Sequence, residues 1–373
     1  MWILKKLKID LKLLRRVDFI LVLAIIVISL FGVINIYSAT KKTSSYYFLD
    51  RQVMWILISI CVSYIILTID YQRILAYIEY LYLFNIVLLI YTYLFTSPIN
   101  GAKVWIKLGS IAIEPGEFAK LIITLVLAKK VQEMNGQINN FKNLCVLFLY
   151  TIVPTILIAI APDMGLVLLI FVAVLAILFI SKLNLKIMLS GLLVLFISVT
   201  LAWNLGLIKE YQKQRITSFI SQDSDLNDSN FQLKQSKIAI GSGGILGEGF
   251  GKSAYIQGNF IPESHTDFIF AVIANEWGLL GTIVLLISYG IVELRIIKIA
   301  KNSKDISGTI ICVGISATLM FSVYQNIGMT MGIAPISGVT LPFVSYGGSS
   351  ILSNFAAIAL VLNVGIRNKK INF

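Results

Sequence analysis

Apolar runs long enough to cross a bilayer recur along the whole chain, separated by short clusters of charged, glycine and proline residues. A helical crossing needs roughly 20 predominantly apolar residues. The pattern predicts ten spans, over residues 17–38, 52–69, 77–95, 112–131, 142–161, 164–181, 185–207, 267–297, 306–333 and 347–366. The expected fold class is therefore all-α: a polytopic membrane protein of about ten helices, one membrane domain over 1–373. Residues 208–266 form a large extracytoplasmic loop between spans seven and eight.

The runs are interrupted in a telling way. NGAKVWIKLGS precedes the fourth span, Pro162-Asp163 joins the fifth to the sixth, and GIAPISGVTLPFVSYGGSS joins the ninth to the tenth. Loose backbone at membrane depth is tolerated only against protein or water. These segments are expected to gather on the outer side, around one place. The stretch from Gln232 to Gly281 starts polar and glycine-rich and turns abruptly apolar, with Asp267 at the boundary.

Composition agrees with the pattern. Of 373 residues 57% are hydrophobic and 13% charged, with mean hydropathy +0.86, against about 25% charged in soluble domains. The net charge of +12 would suit nucleic acid in a soluble chain. Here the basic residues flank spans, so no nucleic-acid partner is expected. With a cytoplasmic N-terminus, inside segments hold 19 Lys and Arg and outside segments 11. Short-loop positive charge stays inside, which puts both termini in the cytoplasm. The basic head ending at Arg15-Arg16 runs into a full-length span and reads as an uncleaved anchor. Cys61, Cys145 and Cys312 are scattered in apolar runs, and His265 is the sole histidine, so a disulfide framework and an ordinary zinc site are both excluded.

Several charged residues could carry chemistry. Asp267, at an interfacial helix start, is either a helix cap, as Thr266 could also be, or a base at a membrane-embedded mouth. Glu117 and Lys120, three apart, share a helix face. Ionised groups in a span usually face an interior cavity, although a structural ion pair has the same spacing. Glu276 lies nine residues after Asp267, about 13 Å deeper at helical rise, and reads as a structural acid. Asp163 reads first as a cap. The glycines of GSGGILGEGFGKS do not make a phosphate loop, because the required first glycine is Leu246; they suggest a flexible loop whose backbone approaches a ligand. Arg215, Lys234, Lys237 and Lys252 could bring positive charge from this loop, with solvated side chains the plainer reading for Lys234 and Lys252.

The motifs IEPGEFAKL, APDMG, QSKIAIGSGG, FIPESHTDFIFAVIANEWG and NIGMTMGIAPISGVTLPFVSYGGSS, with GAKVWI, resemble the SEDS family (shape, elongation, division and sporulation), its RodA branch more than FtsW or SpoVE. The likeness runs from first span to last. It implies a ten-span peptidoglycan glycosyltransferase of the bacterial inner membrane that polymerises lipid II during elongation, with a class B penicillin-binding protein and other elongation-complex proteins as partners. The family's catalytic aspartate falls on Asp267, and its Glu–Lys pair on Glu117 and Lys120. Three motifs depart from the family pattern. Gly-Ala-Lys at Lys103 replaces Gly-Ala-Arg, Glu114-Pro115-Gly116-Glu117 replaces Gln-Pro-Ser-Glu, and Ala161-Pro162-Asp163 replaces Gln-Pro-Asp. Forming a β-1,4 bond from an α-linked donor inverts the anomeric centre. One base suffices, and positive charge must meet the leaving pyrophosphate. Lys120, Arg215, Lys103 or a divalent cation could supply it, with Asp163 as a further substrate contact. A lipid flippase and a non-catalytic scaffold for a penicillin-binding protein are the alternatives.

Overall fold

The structure, a computed structural model, describes residues 16–42, 46–98, 102–109, 111–206, 213, 219, 228–258 and 260–368. Its helices are α1 (Phe19–Thr40), α2 (Tyr47–Thr68), α3 (Tyr71–Ala76), α4 (Ile78–Phe95), α5 (Pro115–Glu133), α6 (Phe141–Ile160), α7 (Met164–Ile180), α8 (Leu185–Asn204), α9 (Asp228–Ser242), α10 (Ala254–Gln257), α11 (Ile269–Lys301), α12 (Ile306–Met331) and α13 (Gly348–Ile366). Ten of them coincide with the ten expected spans. Seven are long and apolar enough to cross a membrane on length and composition alone. The fold is an all-α polytopic membrane bundle.

The bundle is arranged around α13. Of the most apolar stretch of α13, 83% is buried, against 17% for α2, which packs on it. α11, α12 and α5 complete the inner ring. The outer helices turn Phe, Leu and Tyr side chains outward, Leu83, Phe84 and Phe196 among them, where lipid hydrocarbon would solvate them. The polar side chains lie inside instead, which suits a solvent without hydrogen bonds to offer. Asn363 of α13 shows what they do. Its amide donates to the carbonyls of Ile66 and Ile69 at 2.6 Å and its oxygen accepts from the Tyr71 N–H, satisfying the last carbonyls of α2. At the same end Arg295 of α11 holds Asp18, the N-cap of α1, through both carboxylate oxygens, its Nη2 at 2.6 Å.

Two local expectations are corrected. The segment before the fourth span is not loose backbone. Ile106–Leu108 (β1) pairs antiparallel with Ile111–Ile113 (β2), turning at Gly109 with φ +62°. Helix α5 begins only at Pro115, whose missing N–H costs nothing at a first helical position, so Glu114 lies outside the helix. The eighth span is not one continuous helix: α11 is broken at Gly278, with φ 64° and ψ −163°.

The break explains the glycine-rich loop. Glu248 and Gly249 donate N–H bonds to the carbonyls of Asn275 and Glu276, while Leu279 and Leu280 donate to those of Gly244 and Ile245. The loop backbone thus supplies the hydrogen bonds that the broken turn cannot make internally. A Cβ at Gly247 would stand 2.2 Å from the Glu276 carbonyl oxygen, and one at Gly278 would stand 2.4 Å from the Gly247 nitrogen. The expectation of backbone approaching a ligand is corrected: these two glycines let two backbones meet. Glu276, as expected, is structural. The Ser38 hydroxyl of α1 donates to it, and Trp277 donates to Asn35 of the same helix.

Candidate active site

The interrupted segments do converge. They enclose a cavity of about 520 Å³ at the end of the bundle where α5, α7, α11 and α13 begin. Glu117 and Lys120, one turn apart on α5, point into it. The Lys120 ammonium is 2.6 Å from Glu117 Oε2, and both residues are 7% exposed. The Ser353 hydroxyl of α13 donates to the same carboxylate oxygen at 2.9 Å. A second chamber of about 20 Å³, room for one water, lies behind Lys120 between Thr124 and Thr318.

Asp267 stands across the same cavity, half-buried, in the turn that precedes α11. The cap reading is corrected: α11 starts at Ile269 and its N-cap is Phe268. The depth reckoned for Glu276 accordingly starts two residues too early. The Asp267 turn is clamped by its neighbours. Asn326 of α12 donates to the Asp267 carbonyl and to that of Val339, while Ser345 Oγ donates to the Thr266 carbonyl at 2.6 Å. The His265 ring, 4.4 Å from Phe48 and 5.8 Å from Tyr346, is held between aromatics. Burial lowers its pKa from the ordinary value. Gly338, at φ +73°, passes beside the carboxylate; a Cβ there would sit 3.6 Å from Asp267 Oδ2.

Asp163 caps α7 by accepting from the Leu166 N–H at 3.1 Å, as expected, and also lines the cavity. Glu114 lines the same cavity, its N–H donating to Ser349 Oγ of α13 at 2.9 Å. Burial raises both carboxyls above their ordinary range. Asp163 and then Glu117 push Glu114 further in that direction. For Asp163, the hydrogen bond from the Leu166 N–H pulls partly back. Lys103 is placed differently. Its neighbours Ala102, Val104 and Trp105 line the cavity, but its ammonium turns toward Tyr93, 3.4 Å from the carbonyl oxygen and 5.9 Å from the ring centroid. Arg215 lies outside the described residues.

Three contributors were not singled out from the sequence. Arg51, on the first turn of α2 with its guanidinium 4.8 Å from the Tyr47 ring centroid, lines the cavity. Glu263 lines it from the loop before Asp267. The N-terminus of α13 opens into it through Gly348, Ser349 and Ser350, and its N-cap, Gly347, provides no capping side chain. Uncapped first-turn N–H groups favour negative charge. The site thus holds a carboxylate able to accept a proton, two cations and a helix N-terminus within one recess.

Residues 13–370 match the cell cycle protein family FTSW_RODA_SPOVE. The peptidoglycan glycosyltransferase MrdB of Escherichia coli K12 is 30% identical over 359 residues, 96% of this chain and 95% of that protein. The stage V sporulation protein E of Bacillus subtilis is 32% identical over 364 residues, 93% of this chain and 96% of that one. A chain from a peptidoglycan synthase complex that coordinates polymerization and crosslinking superposes with TM-score 0.81 at 28% identity, covering 95% of this chain and 99% of that chain. The rod shape determining protein RodA of Thermus thermophilus does so with TM-score 0.72 at 27% identity, covering 95% and 98%. With a match that leaves out only the first 12 and last three residues, the chain belongs to the SEDS family, the cell cycle proteins grouped as FTSW_RODA_SPOVE.

Proposed function

We propose that this protein is a peptidoglycan glycosyltransferase that polymerises lipid II into β-1,4-linked glycan. It works in the bacterial cytoplasmic membrane with both termini inside and the cavity facing outward. The relatives named as glycosyltransferases support the reaction. The likeness to a chain from a synthase complex supports a class B penicillin-binding protein as partner during elongation. The observation that carries the reading is the shared recess of Asp267, the Glu117–Lys120 pair and the uncapped start of α13.

Asp267 takes the proton from the acceptor 4-hydroxyl as that oxygen attacks the anomeric carbon of the donor. The bond from that carbon to the pyrophosphate oxygen breaks, and its electron pair leaves with the phosphate. Inversion in one displacement needs no sugar–enzyme intermediate. Lys120, Arg51 and the α13 N–H groups are the positive ends placed to meet the developing charge. Among the described residues no three His, Cys, Asp or Glu side chains converge as a metal cage. No step above uses a divalent cation.

Purified protein with labelled lipid II tests the reading. Glycan polymer supports it. Lipid movement without polymer indicates a flippase, and neither outcome leaves the scaffold. Asp267→Asn keeps the size but cannot take the proton, and is expected to lose about a hundredfold or more of the rate at normal folded yield and lipid II binding. A folded Asn variant polymerising at near wild-type rate removes Asp267 as the base.

A further inference from the structure

Asp267 stands in a turn, outside the hydrogen-bond ladder of α11. Its backbone is placed by grips from other elements, and these come in a row. The His265 carbonyl accepts from the Tyr346 N–H at 2.9 Å, the Thr266 carbonyl from Ser345 Oγ at 2.6 Å, and the Asp267 carbonyl from Asn326 Nδ2 at 2.9 Å. The first two grips come from the segment before α13. The third comes from α12 and reaches further. The same Asn326 nitrogen donates to the Val339 carbonyl at 2.8 Å. Val339 follows Gly338, whose backbone passes beside the Asp267 carboxylate, and both line the cavity. One nitrogen therefore ties the residue that carries the base to the cavity wall facing it.

No other task competes for the Asn326 side chain. It is fully buried, and between two carbonyl oxygens only the nitrogen of an amide can donate. Its oxygen has no hydrogen-bond partner among the described residues, so the two donated bonds are all the polar work it does. Asn363 of α13 uses both ends of its amide instead, donating to Ile66 and Ile69 and accepting from Tyr71. Gln325, next to Asn326 on α12, grips the same loop at Pro335 and Ser337. We infer that Asn326 is a positioning residue for the base, its amide nitrogen fixing the spacing between the Asp267 turn and the Gly338–Val339 wall. The catalytic half of the inference rests on the glycosyltransferase reading; the clamp itself does not.

The role follows from where Asn326 is not. It is absent from the lining of the cavity, while Asp267, Gly338 and Val339 all belong to it. A bound substrate thus meets the residues Asn326 holds and not Asn326. A general base works only within hydrogen-bond reach of the proton it takes, and misplacement by about an ångström can cost a hundredfold. A turn residue has no helical ladder to keep it within that tolerance. Asn326→Ala removes both bonds and leaves every cavity side chain in the sequence.

The test has two arms on full-length protein. The first is hydrogen exchange without substrate, read by mass spectrometry in the peptide covering 263–270. Asn326→Ala is expected to speed exchange there about tenfold, roughly the worth of a lost hydrogen bond, with α9 peptides unchanged. The second is the kinetics of lipid II polymerisation. Asn326→Ala is expected to lower kcat about tenfold at unchanged KM, the signature of an interaction felt in the transition state. Added to Asp267→Asn, which cannot take the proton, it is expected to change the remaining rate less than about twofold, because residues acting as a unit do not add. If the alanine variant does not accumulate, Asn326→Thr carries both arms, since a hydroxyl there can bond within α12 as those of Thr318 and Ser322 do. Unchanged exchange at 263–270 overturns the clamp. Faster exchange with wild-type kcat, a loss that appears in KM, or a loss that multiplies in the Asp267→Asn background overturns the positioning role. If wild type makes no glycan, the functional reading fails while the exchange arm still decides the clamp.

Discussion

Lys120 sits in a place where a charge survives only because another is beside it. Its ammonium and the Glu117 carboxylate are both nine-tenths buried and 2.6 Å apart. Removing one partner strands the other without water, at about 3–5 kcal/mol for a fully buried pair. Lys120→Ala and Glu117→Ala are each expected to cut folded yield and polymerisation sharply. The double variant is expected to lose far less than the sum, because no stranded charge remains. Simple additivity in a thermal-stability cycle would show that the pair is not coupled. This pair was legible in the sequence, since three residues within an apolar span place two charges on one face. Arg51 was not. It lies at the edge of a span, where an arginine reaching for lipid phosphate gives the same pattern, and only the packing of α2 on α13 turns it toward the recess. Asp163 was legible as a cap, but its place in the same recess as Glu114 depends on two segments 49 positions apart.

Helix α11 shows what periodicity cannot report. Its apolar run continues smoothly past Gly278, so the sequence predicts one rod, and the break exists because a second backbone lies alongside to satisfy it. The same ambiguity misassigned the glycine loop: a glycine that permits close approach does not say what approaches. Gly247 provides the test. An alanine there would place its Cβ 2.2 Å from the Glu276 carbonyl oxygen at φ +81°, adding a backbone clash to the ~1–3 kcal/mol that a left-handed non-glycine costs. Gly247→Ala is expected to lower the melting temperature in detergent markedly. Gly241→Ala, in α9 with nothing within 4 Å of the added Cβ, is expected to be neutral or mildly stabilising. Equal melting temperatures for the two would mean that the loop does not clamp the helix. The β1–β2 hairpin escaped prediction for a simpler reason: two strands of three residues are too short to show an alternating pattern.

At the scale of the molecule, the spans and their order were readable, because bilayer thickness imposes a length that composition alone reveals. The proposed orientation rests on the 19-to-11 division of basic residues. In a variant freed of Cys61, Cys145 and Cys312, a cysteine at position 222 is expected to react with an impermeant reagent outside intact cells, and one at position 302 is not. The reverse labelling would put the recess on the wrong side for polymerising lipid II. What the spans did not reveal was their arrangement, above all that α13 is the central post of the bundle. That position has a consequence for how the protein is made. Translation delivers the helices in chain order, and α13 follows every helix that surrounds it. Until it inserts, the Glu114 N–H has no Ser349 hydroxyl to meet, Glu117 lacks the Ser353 hydroxyl, and the last turn of α2 has no Asn363. A nascent chain halted before that point has Asp267 and the Glu117–Lys120 pair but lacks the side of the recess that α13 lines, and is expected to make no glycan until its final helix is seated.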